Sequence, residues 1–162
     1  MKESFLNNGK IYYRSNVHIS GKPYVVFIHG LSGSSSAWVE YEKKFENEYN
    51  IVSFDLRGHG KSARPEPREE YTVYKFADDI RDLLTELQIK NPILISHSFG
   101  TMVALDFLTR YQTQTKASIF LSPSFKTQKK GALSDQSWAV ALDAIRRAGT
   151  ARTARNPASL SA

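Results

Sequence analysis

Four short, largely apolar runs separated by helical patterns set the frame for the first 125 residues. Tyr24 to Ile28, Asn50 to Phe54, Pro92 to Ser96 and Ala117 to Ser122 are apolar on adjacent rather than alternate positions. That pattern suits strands buried on both faces. Between them, Trp38, Tyr41 and Phe45 recur at helical spacing, after Ser34 to Ser36 offer N-cap hydroxyls. From Thr72 onward, Phe76, Ile80, Leu83, Leu84 and Leu87 fall on one helical face. Phe99 to Tyr111 gives a third helix. Ahead of all this, Gly9 to Val17 reads as an amphipathic strand, and Gly21-Lys22-Pro23 as a turn. Pro65 and Pro67 keep the segment before Thr72 irregular. Strand and helix in alternation predict a mostly parallel sheet with helices on both faces.

Past about Lys130 the composition shifts. Residues 131–162 hold nine alanines and no lysine, whereas residues 1–130 hold five alanines and all twelve lysines. Asp143 to Arg152 has the propensity for a helix. The run beyond Thr150 has no apolar face and reads as disordered. Residues 126–162 are therefore expected to be an atypical Ala/Arg-rich tail on a body of residues 1–125. Two readings of it stand: a variable tail, or foreign sequence from a frameshift, a fusion or an assembly error.

Charge and composition exclude several classes. The net charge of +6 is spread along the chain, with Lys126, Lys129 and Lys130 the largest cluster. A nucleic-acid binder gathers its basic residues into a stripe, so no nucleic-acid partner is expected. No run approaches the ~20 apolar residues of a membrane span. Met1 to Lys10 lacks the apolar segment of a signal peptide. With no cysteine there is no disulfide or thiolate metal site, which fits a reducing, cytoplasmic setting. No metal or cofactor is expected, and no feature sets an oligomeric state.

Three motifs carry chemistry. Ser96-His97-Ser98-Phe99-Gly100 sits between a strand and a helix. It resembles the nucleophile elbow of the α/β-hydrolases, in which the residues two before and two after the nucleophile must be small. Gly100 meets that demand, and Ser96 is a small residue where glycine is commonest. Ser98 would stand at a helix N-terminus, whose free N–H groups stabilise negative charge. His29-Gly30-Leu31-Ser32-Gly33 follows the strand Tyr24 to Ile28. The resemblance implies that His29-Gly30 opens the oxyanion loop, with the N–H groups of Leu31 and Phe99 as the donor pair. His29 is then structural rather than a base. Asp55-Leu56-Arg57-Gly58-His59-Gly60-Lys61-Ser62 is similar to the family's Asp-x-Arg-Gly-x-Gly-x-Ser segment. There Asp55, Arg57, Gly58, Gly60 and Ser62 form a supporting turn with no catalytic atom. A P-loop ending at Gly60-Lys61-Ser62 is excluded, because position 55 is Asp and Pro65 and Pro67 forbid the helix that must follow.

The resemblance covers about residues 10 to 125. It implies a partial α/β-hydrolase fold, truncated after the strand Ala117–Ser122, which would leave that strand as an open edge. A serine at the elbow also speaks against the dehalogenase and epoxide-hydrolase branches, which carry Asp there. The family orders its triad as Ser, then acid, then His. All four histidines, His18, His29, His59 and His97, precede Ser98. Asp106 lies two helical turns from the nucleophile, and Asp135 and Asp143 follow no predicted strand, so neither triad acid nor triad histidine is assigned. The implied activity is hydrolysis of a small ester-like substrate through an acyl-serine in a complete enzyme, with this chain inactive by itself. The alternative is a non-catalytic fragment or pseudoenzyme.

Overall fold

The computed structural model describes residues 1–6, 9–111 and 115–123, and the backbone of Ala151–Ala154. Five apolar or part-apolar segments pair as β1 (Lys2–Leu6), β2 (Ile11–Ser15), β3 (Tyr24–Ile28), β4 (Asn50–Phe54) and β5 (Ile93–His97), followed by β6 (Ala117–Leu121) and β7 (Ala151–Ala154). They form one sheet in the order β1-β2-β4-β3-β5-β6-β7. The first two strands run antiparallel to their neighbours, and every pairing from β4 to β7 is parallel. The helices are α1 (Val39–Phe45), α2 (Val73–Glu86) and α3 (Phe99–Arg110).

Side-chain alternation divides the core into two layers. Val26 and Ile28 of β3 face the larger cluster, which holds Phe76, Ile80 and Leu83 of α2 with Val103, Phe107 and Leu108 of α3. Val25 and Phe27 face the other side, where Ile51 and Trp38 pack against them and Phe45 of α1 joins. The Phe27 and Trp38 rings stack at 4.8 Å. Helices thus lie on both faces of a mostly parallel sheet, as the periodicity predicts.

The strands and helices of the body fall within one or two residues of their sequence-based limits. Four differences have physical causes. β1 has no counterpart in the sequence reading, because only Leu6 of its five residues is buried. It pairs through a turn at Gly9, which takes φ +89 and donates to the Leu6 carbonyl at 3.1 Å. The sequence places a helix directly after the Ser34–Ser36 hydroxyls, whereas a 3-10 turn, Ser35–Trp38, comes first. Glu42 on α1 is buried despite its charge, since it accepts from the Ser53 hydroxyl and pairs with Arg14 at 2.8 Å. Finally, β6 is not the last strand. Ala151–Ala154, expected to be helical at its start and disordered beyond, runs parallel to it. An exposed strand edge offers a row of backbone donors and acceptors, and pairing with it demands no side-chain pattern. The rest of the proposed tail, including Lys126, Lys129, Lys130, Asp135 and Asp143, lies outside the described residues.

Phe27 is fully buried and Phe5 half exposed. Phe27→Ala is expected to lower unfolding free energy by about 3–5 kcal/mol, the range for truncating a core aromatic. Phe5→Ala should cost less than about 1 kcal/mol, since exposed sites contribute little. Urea denaturation of both variants checks the assignment of the core; equal losses would contradict it.

Candidate active site

The candidate site forms where three loops meet above the carboxyl ends of β3, β4 and β5. Ser98 lies between β5 and α3 with φ 50 and ψ −117, a region side-chain-bearing residues rarely enter. Its N–H donates to the Leu121 carbonyl at 3.0 Å, and its carbonyl accepts from Thr101 N–H at 2.9 Å. Both bonds hold the strained residue in place. Gly100 explains why the turn can be this tight. A Cβ there would lie 2.5 Å from the His29 carbonyl oxygen and 2.7 Å from that of Ile28. Ser96 is fully buried, and its small side chain fits beneath the turn.

The loop after β3 abuts this turn. A Cβ on Gly30 would stand 3.3 Å from Ser98 Cβ and 3.1 Å from His97 Nδ1. His29 is buried, and both of its ring nitrogens are engaged. Nε2 accepts from Leu56 N–H at 3.0 Å, so the proton sits on Nδ1, which donates to the Gly30 carbonyl at 2.7 Å. Burial drives its pKa below the ordinary 6.5. The Gly30 carbonyl and the Leu31 N–H belong to one trans peptide and point in opposite directions. By holding the carbonyl, His29 turns the Leu31 N–H away from itself. Among the described residues no acceptor engages that N–H. Phe99 N–H is the first of the unpaired donors at the start of α3.

The loop after β4 is wired by buried polar groups. Asp55 accepts from Ser35 N–H at 2.6 Å and Lys61 N–H at 2.7 Å. Ser62 donates to the Asp55 carbonyl at 2.6 Å and accepts from Tyr12 N–H at 2.9 Å. Arg57 forks onto Asp79 at 2.6 and 2.7 Å and reaches Glu70 at 2.6 Å. Its hydrogen bonds to Asp79 raise the guanidinium pKa further. Gly58 and Gly60 both take positive φ. A Cβ would collide with the Tyr71 ring at the first and with the Asp55 carboxylate at the second. These atoms hold the loop's shape, and none faces Ser98.

Other sequence candidates lie elsewhere. Asp106 pairs with Arg110 at 2.8 Å on α3. His18 bonds to the Tyr24 hydroxyl at 2.9 Å. His97 is exposed at the end of β5. Among the described residues none hydrogen-bonds to the Ser98 hydroxyl, and no group of side chains could hold a metal ion. The sequence reading missed the partners of Asp55, Arg57 and Ser62. Tyr12 lies 50 residues from Ser62, a distance no local motif spans. Nor is any described helix long and apolar enough to cross a membrane.

Two outcomes follow from this geometry. Gly100→Ala is expected to cost about 1–3 kcal/mol, the range for overpacking a close-packed site, measured by urea denaturation; an unchanged midpoint would refute the close approach. For His29, the folded pKa lies below the unfolded one. Below 6.5 the unfolded chain takes up a proton that the folded chain refuses. Stability should therefore fall as pH drops through that value. His29→Asn, whose amide can still donate to the Gly30 carbonyl, should flatten the decline between about pH 7.5 and 5.5. An equal decline in both proteins would show that His29 is not its source.

Comparison with known proteins agrees with the fold. Residues 23–151 match the family model of the alpha/beta hydrolase fold. An uncharacterized protein of Mycobacterium tuberculosis is 32% identical over 111 residues, covering 68% of this chain and 32% of the relative. Epoxide hydrolase 4 of Mus musculus is 36% identical over 84 residues, covering 52% of this chain and 23% of the relative. The crystal structure of the epoxide hydrolase VrEH1 from Vigna radiata superposes with a TM-score of 0.70 at 25% identity, over 86% of this chain and 45% of that one. The chain thus spans a third or less of the length of these curated relatives. A parallel sheet of this order, a strained serine between β5 and α3, and a match across most of the chain lead to one conclusion: this protein belongs to the alpha/beta hydrolase family.

Proposed function

We propose that Ser98 is the nucleophile of an acyl hydrolase acting on a small ester-like substrate. The observation that carries the reading is the backbone of Ser98, held at φ 50 and ψ −117 beside Gly30. Strain of this kind costs about 1–3 kcal/mol and persists where the surroundings enforce it. In the proposed reaction Ser98 Oγ bonds to the carbonyl carbon, and the carbonyl oxygen becomes an oxyanion facing the N–H groups of Leu31 and Phe99. Such a donor is typically worth ~100- to 1,000-fold in rate. The Ser98 hydroxyl proton must pass through a base to the departing alkoxide, which leaves as the alcohol, and water then cleaves the acyl-serine to release the acid and restore the Ser98 hydroxyl.

Serine at position 98 separates this chemistry from epoxide opening, the activity named for the mouse relative. A carboxylate attacks an epoxide carbon directly, whereas a hydroxyl must lose its proton to a base as it attacks. Here the base is the missing part. His29 and His59 have both ring nitrogens facing backbone partners. His97 Nδ1 lies beside Gly30, 3.1 Å from where a Cβ would stand there, but among the described residues no hydrogen bond joins its ring to Ser98, and all four histidines precede Ser98. These observations favour a second reading for the 162-residue polypeptide taken alone: a non-catalytic product of a hydrolase lineage.

A fluorophosphonate probe separates the two. Loss of a triad member leaves only ~1,000- to 10,000-fold acceleration over water. The 162-residue chain is expected not to label rapidly. A longer chain carrying a downstream acid and histidine should label, and its Ser98→Ala variant should not. Stoichiometric labelling of the short chain, lost in Ser98→Ala, would show a base already present. Labelling of the longer chain that survives Ser98→Ala would sink the nucleophile assignment.

A further inference from the structure

Two successive carbonyls of the loop after β3 are each held by an imidazole. The Gly30 carbonyl accepts from His29, as described. The Leu31 carbonyl faces His59 Nε2 at 2.6 Å, across 28 residues of sequence. The second contact therefore ties the loop after β3 to the loop after β4. Leu31 has little else to hold it: its side chain is 63% exposed. Nearby, the turn bond from Gly33 N–H to the Gly30 carbonyl, at 2.9 Å, closes the loop, and Ser35 N–H is held by Asp55 at 2.6 Å.

His59 is itself well seated. Its Nδ1 lies 2.9 Å from the Arg57 carbonyl, and its ring centroid is 5.1 Å from that of His29 and 6.4 Å from that of Phe76. The backbone on either side is pinned through Arg57 and through the Lys61 N–H bond to Asp55. A carbonyl oxygen only accepts, so the contact with Leu31 requires the proton on Nε2. The Arg57 carbonyl facing Nδ1 likewise only accepts, so both contacts are donated together only when each ring nitrogen carries a proton, and the contact with Leu31 needs the one on Nε2.

We propose that His59 is a positioning residue for the oxyanion donor at Leu31. Its Nε2–H grips the Leu31 carbonyl, sets the ψ of that residue and fixes the tip of the loop whose N–H would meet the oxyanion. The inference rests on the reading of Leu31 as a donor given under the proposed function. His59 touches no reacting atom, and its Nε2 proton is committed to the loop.

The test has two arms on the full 162-residue chain. Long-range proton–nitrogen correlation spectra of the histidine rings report which nitrogens carry protons. Nε2 of His59 is expected to be protonated, and an Nε2 lone pair would overturn the proposal. Amide hydrogen exchange at Gly33 then reports opening of the loop. His59→Ala should speed it about fivefold, the factor carried by one hydrogen bond of ordinary net strength, with Val26 and Phe27 amides within about twofold. His59→Gln places an amide donor near the old Nε2 and should restore protection. His59→Asn places it near Nδ1 and should not. Unchanged Gly33 protection in His59→Ala, or equal behaviour of the Gln and Asn variants, would refute the positioning role. Should the Ala variant not fold, the ring spectra and the Gln–Asn pair decide. None of these readouts needs Ser98 to react, so a failure of the nucleophile assignment is seen separately, in the probe labelling.

Discussion

The contact on which the site depends is the approach of the first turn of α3 to the end of β3. Gly100 lies so close to the Ile28 and His29 carbonyls that a single added carbon atom would overlap them. This approach fixes where α3 begins, and with it the sharp reversal that forces Ser98 into positive φ. The strain at one residue costs about 1–3 kcal/mol. It is offset by the inward face of α3, where Val103, Ala104, Phe107 and Leu108 are buried. Each large apolar side chain contributes about 1.5–3 kcal/mol by leaving water.

The loops around that turn obey a different constraint. They lack a ladder of backbone hydrogen bonds, so their buried donors and acceptors need other partners. Asp55 supplies two acceptors to backbone N–H groups from separate loops, and Ser62 links its carbonyl to β2. Arg57 anchors the same loop to α2 through Asp79. The result is an irregular segment with the fixed geometry of a regular one. His29 and His59 extend this wiring into the loop after β3. Imidazoles suit the task because one ring can meet two backbone groups on opposite sides.

Much of this was legible in the sequence because it is local. β3 and β4 match their apolar runs residue for residue, and α2 and α3 follow from helical periodicity. Ser98 and Gly100 could be singled out because the turn they form is built from adjacent residues, and Gly30 because His29-Gly30 follows the apolar run of β3 directly. β1 was not legible, since four of its five residues face solvent and carry no burial signal. β7 was not either, because its pairing with β6 runs through the backbone. Glu42 within the core ran against its residue type, and only Arg14 and Ser53 make it tolerable.

The sequence by itself therefore determined the layered α/β architecture, the strand-to-helix turn at Ser98 and the family to which the chain belongs. Periodicity and tight turns are properties of neighbouring residues, and the chain states them directly. Only the tertiary structure decided what each polar side chain does. Asp55 became a bracket between two loops, His29 a clamp on one peptide and His59 a tether between β3 and β4. Those roles draw on hydrogen-bond partners 20 to 28 residues away, and Ser62 on one 50 residues away, all brought within 3.0 Å by the packing of the sheet. No local pattern encodes a partner at that separation, because the bond exists only once the strands between have found their order.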